Sequence, residues 1–190
     1  MSTNWNSECG KAHGPDWQKW LGHLAGTPAQ GLEIGTFKGD SAEWMLANIF
    51  THPDSQYYCV DWFQGSDEHH LGGVDCSMLE RETRDRLKPF EARVHIAKGR
   101  SNEVLRSIHS ERFDFVYVDA AHDAMSVLRD AVLAFDLLKP GGVLIFDDYP
   151  WDVMPQPLDR PKIAIDCFIE AYARHLEVIG MGWQVAVKKK

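Results

Sequence analysis

Short apolar runs alternate with amphipathic stretches along most of the chain. Apolar residues at i, i+3, i+4 and i+7 predict helices, and short, mainly apolar runs between turn residues predict strands. The predicted strands cover residues 30–34, 57–63, 92–99, 113–120, 142–149, 177–181 and 183–188. The predicted helices cover residues 16–26, 42–50, 78–87, 101–110, 124–138 and 162–176. This alternation is typical of an α/β fold, in which crossover helices pack on a mostly parallel sheet.

The last two predicted strands are separated by Gly182 alone, so we expect them to be antiparallel neighbours. No internal repeat, low-complexity tract or linker divides the chain, and 190 residues is the length of an ordinary domain. We therefore expect a single domain over residues 1–190. It would consist of an N-terminal helical segment (1–28), a ligand-binding core (30–150) and a C-terminal helix with its strand pair (151–190).

Composition and charge narrow the class of protein. The formal net charge is −8, and no stripe of Lys and Arg lies outside residues 188–190, which argues against a nucleic-acid partner. The cysteines lack a CxxC pair and predict neither a disulfide framework nor a zinc knuckle; they are Cys9, Cys59, Cys76 and Cys167. The chain has no run of about 18 apolar residues and begins without an apolar signal segment. We expect a soluble, cytoplasmic protein with no membrane partner.

Polar side chains gather where the predicted strands end. In open α/β sheets, ligands bind outside the carboxyl ends of the strands. The side chains at or just after those ends are Glu33, Asp61, Ser101, Asp119, Asp147 and Asp148. Carboxylates are thus expected to line one rim of the sheet.

The stretch GLEIGTFKGDS, residues 31–41, is predicted to run from a strand through a glycine turn into a helix. It matches neither GxxxxGK[ST] nor GxGxxG, because the second template would need glycines where Phe37 and Asp40 stand. An acidic rim is also a poor site for a pyrophosphate. A ligand with positive charge and vicinal hydroxyls suits it better, since Asp61 can accept both ribose hydroxyl protons and Glu33 can face the cationic group. S-adenosylmethionine is such a ligand.

Five motifs occur in order: EIGTFKGDS, an acidic residue ending the second strand, KGRS, VDAAH and KPGGVLIFDDY. Together they resemble class I S-adenosylmethionine-dependent methyltransferases, over roughly residues 30–150. More narrowly, they resemble the metal-dependent O-methyltransferases of the catechol and macrolide-sugar types. The resemblance implies a Rossmann-like, doubly wound sheet of seven strands, mostly parallel, with the last strand antiparallel.

The resemblance also implies a set of residues that bind the cofactor. Ser41 would contact the methionine carboxylate, Asp61 the ribose, and Ser101 would lie beside the adenine, which Trp62 or Phe63 would cover. The full implied set is Glu33, Gly35, Thr36, Phe37, Gly39, Ser41, Asp61, Trp62, Arg100, Ser101 and Asp119.

Asp119, Asp147 and Asp148 match the metal-ligand positions of these O-methyltransferases. Hard oxygen ligands select magnesium, calcium or manganese, and magnesium is the expected ion. His122 occupies a position that is a lysine in the catechol enzymes and a histidine in the sugar-type relatives. A histidine suits the removal of a proton from a hydroxyl at neutral pH, so we expect His122 to be the general base, with Asp119 as its catalytic neighbour.

Several alternatives stay open at this point. A metal-independent methyltransferase acting on nitrogen or another small acceptor would use Asp119 only to hold the cofactor and leave Asp147 and Asp148 solvated. A nicotinamide-dependent oxidoreductase shares the strand order but lacks the GxGxxG turn, and a non-catalytic nucleoside-binding module would keep the fold without turnover. The acceptor is expected to be a small molecule with a hydroxyl group, and a homo-oligomer or a partner domain is compatible with the sequence.

Two further segments raise site hypotheses. The polar loop 64–77 contains Asp67, His69, His70, Asp75 and Cys76, but adjacent histidines have the wrong spacing for a tetrahedral zinc site, so we expect a substrate-facing or plainly solvated loop. The proline-rich segment after the fifth strand contains Tyr149, Trp151 and Met154. These side chains form either an apolar wall over the acceptor or packing against the last helix.

Overall fold

The computed structural model describes residues 8–66, 69–70 and 72–190. Residues 1–7 of the expected N-terminal segment, and Asp67 of the zinc hypothesis, lie outside the described residues. None of the helices in the described ranges is long and apolar enough to cross a membrane.

The strands form a seven-stranded sheet in the order β3-β2-β1-β4-β5-β7-β6. Their bounds are β1 Gln30–Ile34, β2 Gln56–Asp61, β3 Val94–Lys98, β4 Phe113–Val118, β5 Leu138–Phe146, β6 Leu176–Met181 and β7 Val185–Lys189. The pairs β1–β2, β2–β3 and β4–β5 are parallel, whereas β7 is antiparallel to both β5 and β6. The predicted α/β fold, with its antiparallel last strand, is confirmed.

The chain divides into two compact units, residues 1–100 and 101–190. In the first unit the helices are α1 Glu8–Leu21, α2 Asp40–Asn48 and α3 Leu79–Leu87. Helix α1 packs on α2 through Trp17 and Trp44, both fully buried, with ring centroids 5.1 Å apart. Gly31 lets β1 pass close to Phe50 and Tyr57, since a Cβ there would lie 2.6 Å from each ring.

In the second unit the helices are α4 Ser101–Val104, α5 Ala124–Leu137 and α6 Pro161–Tyr172. Asp123 caps α5, because its side chain accepts a hydrogen bond of 3.0 Å from the Ser126 N–H. Phe168 of α6 packs edge-on against Phe135 and Phe146, at centroid distances of 5.6 and 5.4 Å. The buried face of α6 therefore closes over an aromatic cluster on α5 and β5.

Some element bounds differ from the expectation. Helix α1 begins at Glu8, ahead of the predicted Asp16, and contains Pro15 within it. Strand β5 begins at Leu138, within the predicted helix end and turn, because its pairing with β4 skips from Leu138 to Val143 and leaves a bulge between them. The predicted helix over 101–110 is regular only to Val104 and is followed by a 3₁₀ turn, residues 105–107.

Gly39 precedes α2 with a φ of +77°, and a Cβ there would lie 3.2 Å from Cγ2 of Thr83. We expect Gly39→Ala to lower the free energy of unfolding by about 2 kcal/mol, about half from the left-handed backbone and the rest from the displaced Thr83. Gly26→Ala is the matched control in the same unit, because Gly26 has a φ of +75° and open space around it. Urea unfolding measures both; equal losses would show that the contact with Thr83 does not matter.

Candidate active site

The glycine turn between β1 and α2 is held by backbone hydrogen bonds. The Gly35 N–H donates to the Val60 carbonyl at 2.9 Å, and the Gly39 N–H donates to the Thr36 carbonyl at 2.7 Å. Gly35, Phe37 and Gly39 all have positive φ, and for Phe37 this conformation is strained. The turn thus needs support from outside its own backbone.

Asp61 supplies that support. Its Oδ2 accepts the N–H groups of Thr36 and Phe37 at 2.8 and 2.7 Å, and its Oδ1 accepts the Phe63 N–H at 2.6 Å. A carboxylate offers about four acceptor positions, so Asp61 retains room for a further donor. Asp61 was expected only to bind a ligand, and its hydrogen bonds show that it also holds the turn.

Glu33 lies beneath the turn and is fully buried. The Ser41 hydroxyl donates to its Oε1, and the Cys59 thiol lies 3.9 Å from its Oε2. Burial raises the pKa of Glu33 to about 8. Glu33 is therefore mainly uncharged at neutral pH and anchors Ser41, which differs from the expected open carboxylate facing a cation.

Two aromatic residues of this unit, one within the turn and one directly after β2, have ring or cation partners. Phe37 stacks on His69 at 4.6 Å, while Trp62 donates its indole N–H to the Gly65 carbonyl at 3.0 Å. The Arg100 guanidinium lies 4.6 Å from the Trp62 ring centroid. Phe63 is 5% exposed, so only Trp62 of the two predicted adenine-covering residues has substantial exposed surface.

In the second unit, Ser101 begins α4, and its hydroxyl donates to Oδ1 of Asp130 at 2.8 Å. Asp130 lies on α5 and is 2% exposed; this burial raises its pKa to about 6. Asp130 was not among the residues expected at the site. The available signal was an acidic residue on the apolar stripe formed by Val127, Ala131 and Ala134.

Asp119, His122 and Asp148 form a cluster that could hold a metal ion, with one ligand atom from each lying within 4.8 Å of the others. Asp119 directly follows β4 and Asp148 lies two residues after β5, and these strands are paired at Val118 and Phe146. His122 Nε2 is 2.8 Å from Asp148 Oδ2, and its ring stacks on Trp151 at 4.5 Å. No other such cluster occurs in the part of the chain that the structure describes, including the described residues of loop 64–77.

The structure places Asp147 differently from the expected ligand set. Its Oδ2 accepts the Tyr117 hydroxyl, and its Oδ1 accepts the Asp148 N–H at 2.7 Å. His122, expected only as a base, joins Asp119 and Asp148 instead. The β-sheet register alone could not distinguish the two neighbouring aspartates, since both follow the same strand end.

Trp183 is a site residue that the sequence analysis missed. It lies between β6 and β7, and its indole Nε1–H donates to Oδ1 of Asp148 at 3.1 Å. Of the predicted apolar wall, Trp151 faces His122, whereas the Tyr149 hydroxyl donates to Asp166 of α6 at 2.8 Å. Trp151 therefore belongs to the cluster, and Tyr149 packs on the last helix.

The cluster could hold a divalent cation. Two ligand atoms on one ion lie at most about 4 Å apart for magnesium and about 5 Å apart for calcium, and the three donor atoms here lie within 4.8 Å of one another. The two carboxylates suit magnesium, calcium or manganese, whereas an imidazole is more typical of zinc, copper, iron or nickel sites. The arrangement also places a histidine beside a carboxylate, where it could act as a general base.

A family model described as a methyltransferase domain matches residues 32–149, which is more than half of the chain. The chain belongs to this methyltransferase family. The prediction of a class I methyltransferase is confirmed, and the oxidoreductase alternative is set aside.

A curated relative of the methyltransferase is the O-methyltransferase hkm8 of Aspergillus hancockii, 28% identical over 66% of this chain. The matches span only 44% of the length of the curated relatives. Among solved structures, the O-methyltransferase from Bacillus cereus in complex with SAH is 20% identical, with a TM-score of 0.65 over 93% of this chain and 81% of that one. The MycE methyltransferase of mycinamycin biosynthesis, in complex with Mg, SAH and mycinamycin VI, is 18% identical, with a TM-score of 0.62 over 93% of this chain and 49% of that one. Both structures share the fold.

Glu33 should make stability depend on pH. Its folded pKa of about 8 lies above the ordinary 4.5, so folding takes up a proton, and stability is lost as pH rises through this range. Asp130 acts in the same sense, with a folded pKa of about 6, and it contributes equally to the parent and to Glu33→Gln. Between pH 6 and 8 we therefore expect the parent to lose about 1 kcal/mol of its free energy of unfolding per pH unit because of Glu33. Glu33→Gln should not show this loss.

Urea unfolding of the parent and of Glu33→Gln across that interval measures the difference between the two pH profiles. The amide preserves size and can still accept from Ser41. Glu91→Gln, an exposed position in the same unit, is the control and should follow the parent. Parallel profiles for the parent and Glu33→Gln would contradict a protonated Glu33.

Proposed function

We propose that the chain transfers a methyl group from S-adenosylmethionine to a hydroxyl of a small molecule, with a divalent cation and with His122 as general base. The observation that carries the proposal is the cluster of Asp119, His122 and Asp148 at the ends of β4 and β5, in a chain of the methyltransferase family. The curated relative named as an O-methyltransferase supports the choice of oxygen as the acceptor atom.

The glycine turn is the proposed site for the cofactor, which supplies a methyl group already activated on a sulfonium sulfur. The spare acceptor capacity of Asp61 suits a ribose hydroxyl, while its hydrogen bonds to Thr36 and Phe37 keep the turn in shape. The Ser41 hydroxyl, which contacts the buried Glu33 carboxyl, would face the methionine carboxylate; protonated Glu33 can donate to the Ser41 oxygen and so leave the hydroxyl hydrogen for that ligand. The remaining proposed contacts in this unit are Gly35, Gly39, Trp62 and Arg100.

Asp119 and Asp148 would hold the cation, which would make an acceptor hydroxyl more acidic. Carboxylate oxygens are ligands that magnesium prefers, and the MycE structure, which shares the fold, contains Mg. Asp147 would support the site indirectly, because it accepts the Asp148 N–H and so helps to place that residue.

His122 would remove the proton from the acceptor. Asp148 fixes the position of Nε2, and the stacked Trp151 ring fixes the plane of the imidazole. An ordinary histidine changes charge near neutral pH, which suits proton transfer from a hydroxyl. Alignment of donor and acceptor supplies the rest of the rate, since methyl transfer is a simple displacement.

A metal-independent methyltransferase is the second candidate. One observation favours it: His122 Nε2 and Asp148 Oδ2 lie 2.8 Å apart and so already form a histidine–carboxylate pair, whose other oxygen accepts the Trp183 indole N–H at 3.1 Å. In that mechanism, His122 and Asp148 would form a dyad that removes the proton without a cation.

Asp61→Ala should weaken binding of S-adenosylhomocysteine about tenfold or more, because it removes charged acceptors from the ligand and from the turn. Asp61→Asn keeps one acceptor oxygen, so its affinity should lie between that of the parent and that of Asp61→Ala. Calorimetry well below the unfolding temperature measures the affinities, with Asp54→Ala, whose side chain is 80% exposed, as the control. Unchanged affinity in Asp61→Ala, or stronger binding of NAD than of S-adenosylhomocysteine by the parent, would contradict the cofactor site.

His122→Ala should lower kcat about a hundredfold with little change in the KM for S-adenosylmethionine, because a general base contributes to the chemical step alone. Turnover is measured as S-adenosylhomocysteine release with a panel of catechol, sugar and polyol acceptors. His109→Ala, an exposed histidine of the same unit, is the control.

The same assay separates the two candidate mechanisms. If a cation is required, EDTA should abolish turnover, and Mg²⁺ or Mn²⁺ should restore it. Turnover that does not change on adding EDTA supports the metal-independent dyad. If His122→Ala turns over at the parent rate, His122 is not the general base. A parent that binds the cofactor but methylates no member of the panel supports the non-catalytic alternative.

A further inference from the structure

We propose that the β6–β7 turn, residues 182–184, positions Asp148 and that the Trp183 indole N–H fixes the plane of the Asp148 carboxylate that faces His122. The inference rests on the proposed function, since it concerns the geometry of the cation and base cluster. It assigns a role to a part of the chain that lies after the residues matched by the family model.

Asp148 has a backbone conformation that needs support. Its φ is +58°, in the left-handed region, which aspartate adopts more readily than most residues but which is still uncommon outside glycine. The Tyr149 N–H, next in the chain, donates to the Trp183 carbonyl at 2.9 Å. The backbone of the turn therefore holds the segment that contains Asp148.

The two oxygens of Asp148 have different partners. Oδ1 accepts the Trp183 indole N–H at 3.1 Å, and Oδ2 lies 2.8 Å from His122 Nε2. The terminal torsion of an aspartate has a broad preference, so the carboxylate plane is set by its hydrogen bonds. With a donor fixed on Oδ1, the other oxygen is directed to His122.

The neighbouring residue of the turn holds the other aspartate. Gln184 is 3% exposed, and its Nε2 donates to the Tyr117 hydroxyl at 3.0 Å. Tyr117 in turn donates to Asp147, whose second oxygen accepts the Asp148 N–H. Consecutive residues of the turn thus hold the consecutive aspartates, one directly and one through Tyr117.

The exposure of Trp183 is consistent with positioning as its main role. Its side chain is 51% exposed, which is a large apolar surface to leave in water, so packing alone gives a weak reason for a tryptophan here. Its indole N–H is the polar group that a phenylalanine of similar shape would lack. Trp183→Phe therefore removes the hydrogen bond with little effect on the fold.

The first test uses Mn²⁺ alone as the probe, with its affinity measured by electron paramagnetic resonance. We expect Trp183→Phe to bind Mn²⁺ about tenfold more weakly than the parent, the loss typical of a residue that orients a metal ligand. Met181→Ala is the matched control, because Met181 is 59% exposed on the same hairpin, and it should bind as the parent does. Combining Trp183→Phe with Asp148→Asn should add little further loss, because Trp183 acts through Asp148.

A second measurement does not depend on a cation. The indole N–H signal of Trp183 in ¹⁵N-labelled protein, assigned by its loss in Trp183→Phe, should shift in Asp148→Asn and stay in place in Asp114→Asn. Asp114 is a control because its carboxylate pairs with Lys139. In the methyl-transfer assay, Trp183→Phe should lower kcat and leave the KM for S-adenosylmethionine unchanged.

The outcomes separate the inference from the proposed function. Parent-like Mn²⁺ affinity and kcat in Trp183→Phe overturn the inference while the cation site stands. No Mn²⁺ binding by the parent overturns the cation part of the proposed function, and the role of Trp183 is then decided by kcat and the indole signal. An indole N–H signal that does not shift in Asp148→Asn overturns the inference in either case.

Discussion

The three backbone N–H groups that converge on Asp61 are the interaction on which the glycine turn depends. Glycines at positions 35 and 39 adopt the left-handed backbone without strain, whereas Phe37, which adopts it as well, is strained there. A charged acceptor at the end of β2 offsets that strain, since hydrogen bonds to an ionised group are stronger than neutral ones. A residue expected to bind a ligand is thus first a structural anchor, and a ligand at this site would join a network that is already formed.

Burial divides the acidic residues into two groups with different chemistry. Glu33 and Asp130 are removed from water, so burial raises the pKa of each and favours the protonated form. Each is the hydrogen-bond partner of a serine, Ser41 and Ser101 respectively. Both buried carboxyl groups therefore position hydroxyls, while the charges that could bind a cation or a sulfonium are left to partly exposed aspartates.

The periodicity of the sequence predicted the strands and their class because burial imposes the pattern directly. It failed where tertiary contacts override local signals: Pro15 is accommodated inside α1, and β5 extends past Pro140 by forming a bulge. The site shows the same limit. Strand ends predicted that Asp119 and Asp148 would be near each other, but hydrogen-bond directions set the role of Asp147, and they depend on Tyr117, which strand periodicity marks only as core.

Asp148 would share its oxygens among several partners if a cation were bound. Its oxygens already engage Trp183 and His122, but a carboxylate has about four acceptor positions, so a cation could be added without removing either contact. A divalent charge between Asp119 and Asp148 would compete for the same negative charge and so weaken the hydrogen bonds that this carboxylate accepts. The Trp183 contact would then help to keep the carboxylate plane fixed while the cation draws on both aspartates.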